Sequence, residues 1–349
     1  MATGYVYEPL YLEHDWPGHP ENRRRLEAIL EWLETEGMLQ RLVHIPARPA
    51  TEEQLTRVHS PAYLASLRRI ADRGGGHLDP DTYVVPASWE AARLAAGGLI
   101  ELVRAVLDGH VENGFALVRP PGHHACPNRG MGFCLINNVA IGACAALEEK
   151  GVERVLIVDF DVHHGNGTQE VFEEEERVCY FSTHLYPFYP GTGHWRERGR
   201  GPGEGMVINV PLPARVGDRG YGRVFAEVLV PLARRYQPGL ILASAGYDGH
   251  WRDPLALMGL SISGFALITR TLKELADELC RGRLVLTLEG GYDTEVLSRA
   301  VLTTFALLLG DDPPSDPIGP SPYSEPDISA LLRRVKKIHR LKEETWNAP

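Results

Sequence analysis

Short runs of consecutive apolar residues recur along this chain. Between them lie stretches whose apolar positions return every three to four residues. The runs fall near 4–7, 41–45, 114–118, 154–159, 177–182, 206–211, 239–245 and 283–289. Each reads as a strand. Several are apolar on successive rather than alternate residues, as in a parallel sheet covered on both faces. Helical periods fill the gaps, at roughly 21–37, 60–73, 87–108, 135–150, 221–236, 262–281 and 293–309. This alternation predicts an α/β fold: a central, mostly parallel sheet of about eight strands with helices on both faces. A Pro-rich strap over 311–326 and a helix over about 327–342 are expected to dock on a core spanning about 4–310. Residues 1–349 then form a single domain.

Ligands of an open parallel sheet bind in the crevice at the C-terminal ends of its strands. The chemistry-bearing residues cluster there. After Arg154-Val155-Leu156-Ile157-Val158 comes Asp159-Phe160-Asp161-Val162-His163-His164-Gly165-Asn166-Gly167. Side chains of an extended segment alternate faces, so Asp159, Asp161 and His163 are expected on one side. A lone strand-end Asp commonly caps a helix or makes a turn, and a lone His is commonly a surface or core residue. Three ligand-type residues in register point instead to a divalent cation.

Three further segments extend the picture. The strand near 114–118 leads into Arg119-Pro120-Pro121-Gly122-His123-His124-Ala125. Two prolines restrict the backbone before the histidine pair, and imidazole titrates near neutrality, as acid–base catalysis needs. Gly132 permits close backbone approach, and Phe133 beside it is placed either to wall a channel or to fill core. The strand at 239–245 ends in Ala245-Gly246-Tyr247-Asp248, whose Asp is the natural third ligand beside Asp161 and His163. Two carboxylates and an imidazole suit Zn²⁺ and tolerate Fe²⁺ or Co²⁺, with a position left open for water. The last strand ends in Leu288-Glu289-Gly290-Gly291-Tyr292, which would present a phenol to the same crevice.

Bulk properties narrow the class. The formal charge of −10 and pI near 5.8 argue against a nucleic-acid or membrane-surface binder. The five cysteines, Cys126, Cys134, Cys144, Cys179 and Cys280, show no paired spacing. They read as reduced thiols in a cytoplasmic protein. Neither a signal-peptide pattern at the N-terminus nor a membrane-length apolar run is found. A homo-oligomer stays open.

Together, Arg119 to Ala125, Gly132-Phe133-Cys134, Asp159 to Gly167, Ala245 to Asp248 and Leu288 to Tyr292 resemble the histone deacetylase superfamily of zinc-dependent amidohydrolases. That group includes bacterial acetylpolyamine amidohydrolases and acetoin-utilisation proteins. The resemblance runs from Gly18-His19-Pro20-Glu21-Asn22 to about Leu309, and Asp161 to Gln169 looks like the class II branch. It implies the arginase-deacetylase fold and deacylation of N-acyl-lysine or a related acylated amine, releasing acetate. It implies Zn²⁺ on Asp161, His163 and Asp248, and a tandem His123–His124 pair with His124 as general base and later acid. Asp159 would orient His123, and Asn166, where many class I members carry Asp, would orient His124. An amide there removes a charge that favours imidazolium, so a lower His124 pKa is expected than in those enzymes. Tyr292 would donate to the carbonyl oxygen.

The resemblance also implies an acyl-lysine tunnel walled by Phe133 and Tyr189, with Gly132 beside it and Leu255 at a gatekeeper position. Polyamine-preferring relatives in one branch carry Glu there, so Leu255 favours a neutral or peptide-linked acyl-lysine. A K⁺ site is implied around Asp159, Asp161, His163 and Ser182. Three other readings stay on the table: an acetylpolyamine or other small-molecule deacylase, a binuclear Mn²⁺ ureohydrolase, and a silent acyl-lysine binder. Asn166 and the Gly249-His250-Trp251-Arg252 spacer lack the extra carboxylates a second metal wants, and Tyr292 argues against silence.

Overall fold

The structure is a computed structural model that describes residues 2–148 and 152–341. Its strands are β1 (Thr3–Val6), β2 (Val43–His44), β3 (Gly76–Asp79), β4 (Thr82–Val84), β5 (Asn113–Ala116), β6 (Val155–Asp159), β7 (Val178–Leu185), β8 (Val207–Leu212), β9 (Leu240–Ala245) and β10 (Leu284–Leu288). Eight of them form one parallel sheet in the order β2-β1-β5-β10-β9-β6-β7-β8. Every run expected to be a strand lies in this sheet. The central strands are buried along their whole length, which is why their sequences run apolar without alternating.

Helices cover the sheet on both sides. Ser88–Leu107 and Asn138–Glu148 pack on each other and on β1, β5, β6, β9 and β10. Arg24–Thr35, Asp218–Val224, Ile262–Cys280 and Thr294–Leu309 form a second packed group. The expected helix over 221–236 is broken by a π-helical turn, Phe225–Leu229, between Asp218–Val224 and Val230–Tyr236. The expected helix over 135–150 runs Asn138–Glu148, and 149–150 lie outside the described residues.

Three elements escaped the periodicity. The β3–β4 hairpin is too short to show alternation. The helix Glu52–Thr56 carries a capping box, Thr51 with Gln54, which was the available signal. The helix Asn166–Phe172 begins inside the motif read for its chemistry.

The Pro-rich strap is held by its acids. Asp316 accepts from Ser263 N at 3.3 Å, and Glu325 from Arg219 N and Gly220 N at 3.1 and 2.8 Å. Trp251 donates Nε1–H to Gly319 O at 3.0 Å, tying the strap to the loop after β9. Beyond it, the helix Ser329–Ile338 buries Leu332 and Val335, and Lys336 Nζ pairs with Glu227 at 2.7 Å. Residue 342, the end of the expected helix, lies outside the described residues.

One polar cluster sits inside the apolar body. Glu21, Arg25 and Arg119 are all essentially unexposed. Arg119 forks onto Glu21 through Nε and Nη2, and Arg25 Nη1 reaches the same carboxylate at 3.1 Å. Both guanidiniums hold the Glu21 carboxyl well below the usual range against the opposing effect of burial. Removing one member of such a pair strands a buried charge, at a cost of about 3–5 kcal/mol. The cluster lies directly beneath the crevice, because Arg25 also donates to the carbonyls of Gly291 and Glu289.

Candidate active site

The four adjacent strands β5, β10, β9 and β6 each hand one chemical segment to the same crevice. Asp159 is the last residue of β6. The alternation expected beyond it is not extended strand. Asp159 Oδ1 accepts from Asp161 N at 3.2 Å, and Asp161 Oδ1 from His163 N at 2.9 Å. These are successive Asx-type turns, so the segment bends and its carboxylates fold back on their own backbone. The three residues still converge, but through turns rather than the pleat.

Asp161, His163 and Asp248 form a tight donor set. One ligand atom from each lies within 4.8 Å of the others. His163 Nδ1 sits 3.2 Å from Asp161 Oδ1 and 3.1 Å from Asp248 Oδ2. The remaining carboxylate oxygens are oriented from behind: Gly290 N donates to Asp161 Oδ2 at 2.8 Å and Val162 N to Asp248 Oδ1 at 3.0 Å. A Cβ on Gly290 would lie 2.2 Å from Asp248 Oδ2, so only glycine lets the two acids come this close.

Burial opposes charge on His163, yet the two carboxylates raise it to about 10. Asp161 is held below the usual carboxylate range by His123 and His163 despite its burial, while burial and the charge of Asp161 push Asp248 up. Two buried acids sharing one imidazole proton are short of positive charge. A divalent cation would take that proton's place, and the O/O/N donors fit the metals expected from the sequence.

The histidine pair follows β5. The rings of His123 and His124 are 4.0 Å apart and have different partners. His123 Nδ1 lies 3.0 Å from Asp159 Oδ2, which also accepts from Tyr180 OH at 2.9 Å. His124 Nδ1 lies 2.8 Å from Asn166 Oδ1. Burial works against charge on both. At His123, Asp159 and Asp161 overcome it and lift the imidazole to about 10. At His124, burial and the neighbouring charges of His123 and His163 drive it well below its ordinary value. Adjacent titratable groups pushed to opposite states are the signature of divided acid and base roles.

Tyr292 follows β10. Its ring faces Phe133 edge-on at 5.9 Å, and the Arg25 guanidinium lies 5.0 Å from its centroid. Burial raises its phenol well above the ordinary value, so it stays a donor. Its backbone N–H is held by Asp253 Oδ2 at 2.8 Å, and Asp253 Oδ1 accepts from Leu255 N at 2.9 Å.

Above these groups opens a cavity of about 340 Å³. Its lining includes His123, His124, Gly132, Phe133, Asp161, His163, Tyr189, Leu255 and Tyr292. Asp159, Asn166 and Asp248 stand behind it, each bonded to a residue that lines it. A Cβ on Gly132 would meet His124 Cδ2 at 2.4 Å and Tyr189 Cε1 at 3.0 Å, and its φ is +56°. Phe133 shares that left-handed conformation, φ 69°, an uncommon one for a bulky residue. Ser182 does not reach the cavity. It pairs with Asp159 across β6 and β7, and its Oγ lies 2.9 Å from His184 Nδ1.

Several residues here drew no role from the sequence. Phe188 lines the cavity and stacks on His163 at 5.8 Å. Asp79 and Asp81 flank the mouth from the β3–β4 turn. Glu289 accepts from Gly122 N and His123 N at 2.7 and 3.2 Å, and burial pushes it up to about 7. It carried the same signal as Asp159, an acid ending an apolar run. Asp253 and Arg25 carried no local signal.

A profile described as the histone deacetylase domain matches residues 19–308. The chain belongs to the histone deacetylase family. This deacetylase is 43% identical over 316 residues to a probable deacetylase of Archaeoglobus fulgidus, covering 89% of this chain and 88% of that one. It is 39% identical to histone deacetylase 14, chloroplastic, of Arabidopsis thaliana, over 95% and 83% of the two chains. It is 42% identical to the human polyamine deacetylase HDAC10, over 86% of this chain and 46% of that longer one. The crystal structure of an HDA15 HD domain superposes with a TM-score of 0.89 at 37% identity, covering 97% of this chain and 94% of that one. The deacetylase is accordingly a hydrolase of acetylated amides. Among the described residues no helix is long and apolar enough to cross a membrane, and relatives named chloroplastic leave its compartment open.

Proposed function

We propose that this deacetylase is metal-dependent, with Zn²⁺ held by Asp161, His163 and Asp248, and that it removes the acetyl group from an N-acetyl-lysine side chain. One observation carries the reading. Two buried imidazoles with different partners, His123 on Asp159 and His124 on Asn166, stand 4.0 Å apart beside the only O/O/N donor cluster among the described residues, under a cavity walled by aromatics. When bound there, Zn²⁺, or Fe²⁺ or Co²⁺ in its place, would polarise the amide carbonyl and acidify a water.

The residues of the chain supply the rest. His124, kept neutral by its surroundings, accepts the water's proton as it attacks the carbonyl carbon. His123, held protonated by Asp159, keeps positive charge beside the developing oxyanion, and the Tyr292 hydroxyl donates to it. The proton on His124 then passes to the leaving nitrogen, releasing acetate and a free amine. Phe133, Tyr189 and Phe188 line the path of the aliphatic arm, and Gly132 leaves room beside His124. A structural K⁺ by Asp159, Asp161, His163 and Ser182 belongs to the same proposal.

Leu255, apolar at the rim, favours a peptide-linked acyl-lysine. A second reading has its own support: Asp79 and Asp81 at the mouth would attract a cationic acetylated polyamine. Steady-state kinetics on the zinc-loaded protein decide between them. We expect kcat/KM for an acetyl-lysine peptide to exceed that for acetylputrescine. The reverse order would install the polyamine reading, and no hydrolysis of either would overturn the proposal.

A further inference from the structure

The side-chain amide of Asn166 presents its oxygen to His124, and the cause lies on its other side. An amide's oxygen and nitrogen are nearly the same size, so only its partners decide which way it points. Here the nitrogen, Nδ2, sits 3.2 Å from Cys126 Sγ and 3.5 Å from Met131 Sδ. A thioether has lone pairs and no proton, so it can only accept. Burial pushes the Cys126 thiol up to about 11, so it keeps its proton, which points at the carbonyl of His124 at 3.6 Å. The sulfur is then an acceptor for the Asn166 amide, which shares it with the Arg129 side chain. Cys126 and Asn166 are both buried, so water does not substitute freely for the Cys126 sulfur, while Met131 is half-buried beside it.

The orientation has a chemical consequence. With Oδ1 toward His124, Nδ1 carries the proton and Nε2 keeps a free lone pair. Were the amide reversed, its N–H would demand a lone pair at Nδ1, and the proton would move to Nε2. The neutral imidazole would then have no base to offer. We propose that Cys126 and Met131 are positioning residues that hold the Asn166 amide in the orientation that fixes the catalytic tautomer of His124. This rests on the roles of His124 and Asn166 proposed above. It also accounts for an amide at this position: a carboxylate would turn an oxygen toward the thioether's lone pairs with no proton between them.

The test removes the sulfurs in two backgrounds. Met131→Leu conserves volume, and Cys126→Ala removes the second acceptor. In the Asn166 protein, we expect the paired substitution to lower kcat by about tenfold, with KM and metal content within about twofold. Cys126→Ser, whose hydroxyl accepts, should recover most of the loss at that position. In the Asn166→Asp background, which offers no N–H, the same substitutions should change kcat by less than about twofold. Side-chain ¹⁵N spectra provide a readout that does not depend on turnover: His124 should be the Nδ1–H tautomer in the parent and a mixture once the sulfurs are gone. Equal losses in both backgrounds, or an unchanged tautomer in the protein carrying both Met131→Leu and Cys126→Ala, would overturn the proposal. If His124→Ala keeps the parent's kcat, the reading of the site fails instead, and the two failures are separable.

Discussion

The floor and the rim of the cavity are built differently. On the floor, Asp159, Asp161, Asp248, His123 and Glu289 are at most 3% exposed, and backbone N–H groups or buried side chains hold nearly every oxygen. At the rim, Phe188 and Tyr189 are 37% and 40% exposed, and nearby Trp16 reaches 44%. Each of those rings packs against an imidazole. A reacting bond needs groups fixed to a fraction of an ångström, and strand ends provide that. Choice among substrates needs only a shaped and charged opening, which loops provide and can vary. Asp253 joins the two regions, since one carboxylate holds the backbone of Tyr292 on the floor side and of Leu255 at the rim.

If this division is real, substitutions should grade from abolition to retuning. The largest effect belongs to Asp248→Asn, which should cost metal content and at least about 10³ in kcat. Elemental analysis alongside kinetics checks it, and full metal occupancy would break the floor assignment. Next, Tyr292→Phe should lower kcat by about 10²–10³ with metal content and KM little changed; activity close to the parent's would remove Tyr292 from the chemistry. Asp253→Asn loses one of two acceptors and should lower kcat by about tenfold while raising KM a few-fold. A change in KM alone would place Asp253 wholly in the rim. The smallest effect is Leu255→Glu, which should shift the ratio of kcat/KM for acetylputrescine over acetyl-lysine peptide upward by about three- to tenfold with kcat nearly constant. A fall in kcat as large as that of Tyr292→Phe would erase the distinction between the regions.

The same division governs what could be read from the amino-acid order. Floor residues announce themselves because each ends an apolar strand: Asp159 after Val155–Val158, Asp248 after Leu240–Ala245, Tyr292 after Leu284–Leu288. Their convergence required only the parallel order of β5, β10, β9 and β6. The rim gave no such signal. Asp79 and Asp81 sit on a hairpin whose strands are too short to alternate, and Phe188 is one of two adjacent aromatics in a Pro/Gly loop. Arg25 reads as one more charge on the helix Arg24–Thr35 until the fold shows it buried against Glu21 and Gly291. The bend after Asp159 lies beyond what side-chain alternation reports, because carboxylate-to-backbone bonds turn the chain there.

The reach of Arg25 to the carbonyls of Gly291 and Glu289 has a consequence for synthesis. It links a helix made early to a turn made late, across 266 positions of sequence for Gly291. A nascent chain stopped before Leu284 already contains Asp161, His163 and Asp248. It lacks Tyr292, the Gly290 N–H that orients Asp161, and the two carbonyls that accept hydrogen bonds from Arg25. Until the last strand enters the sheet, Arg25 lacks two of its three hydrogen-bond partners and keeps Glu21 alone. An interrupted chain would therefore carry the proposed metal donors without the turn that completes the proposed site.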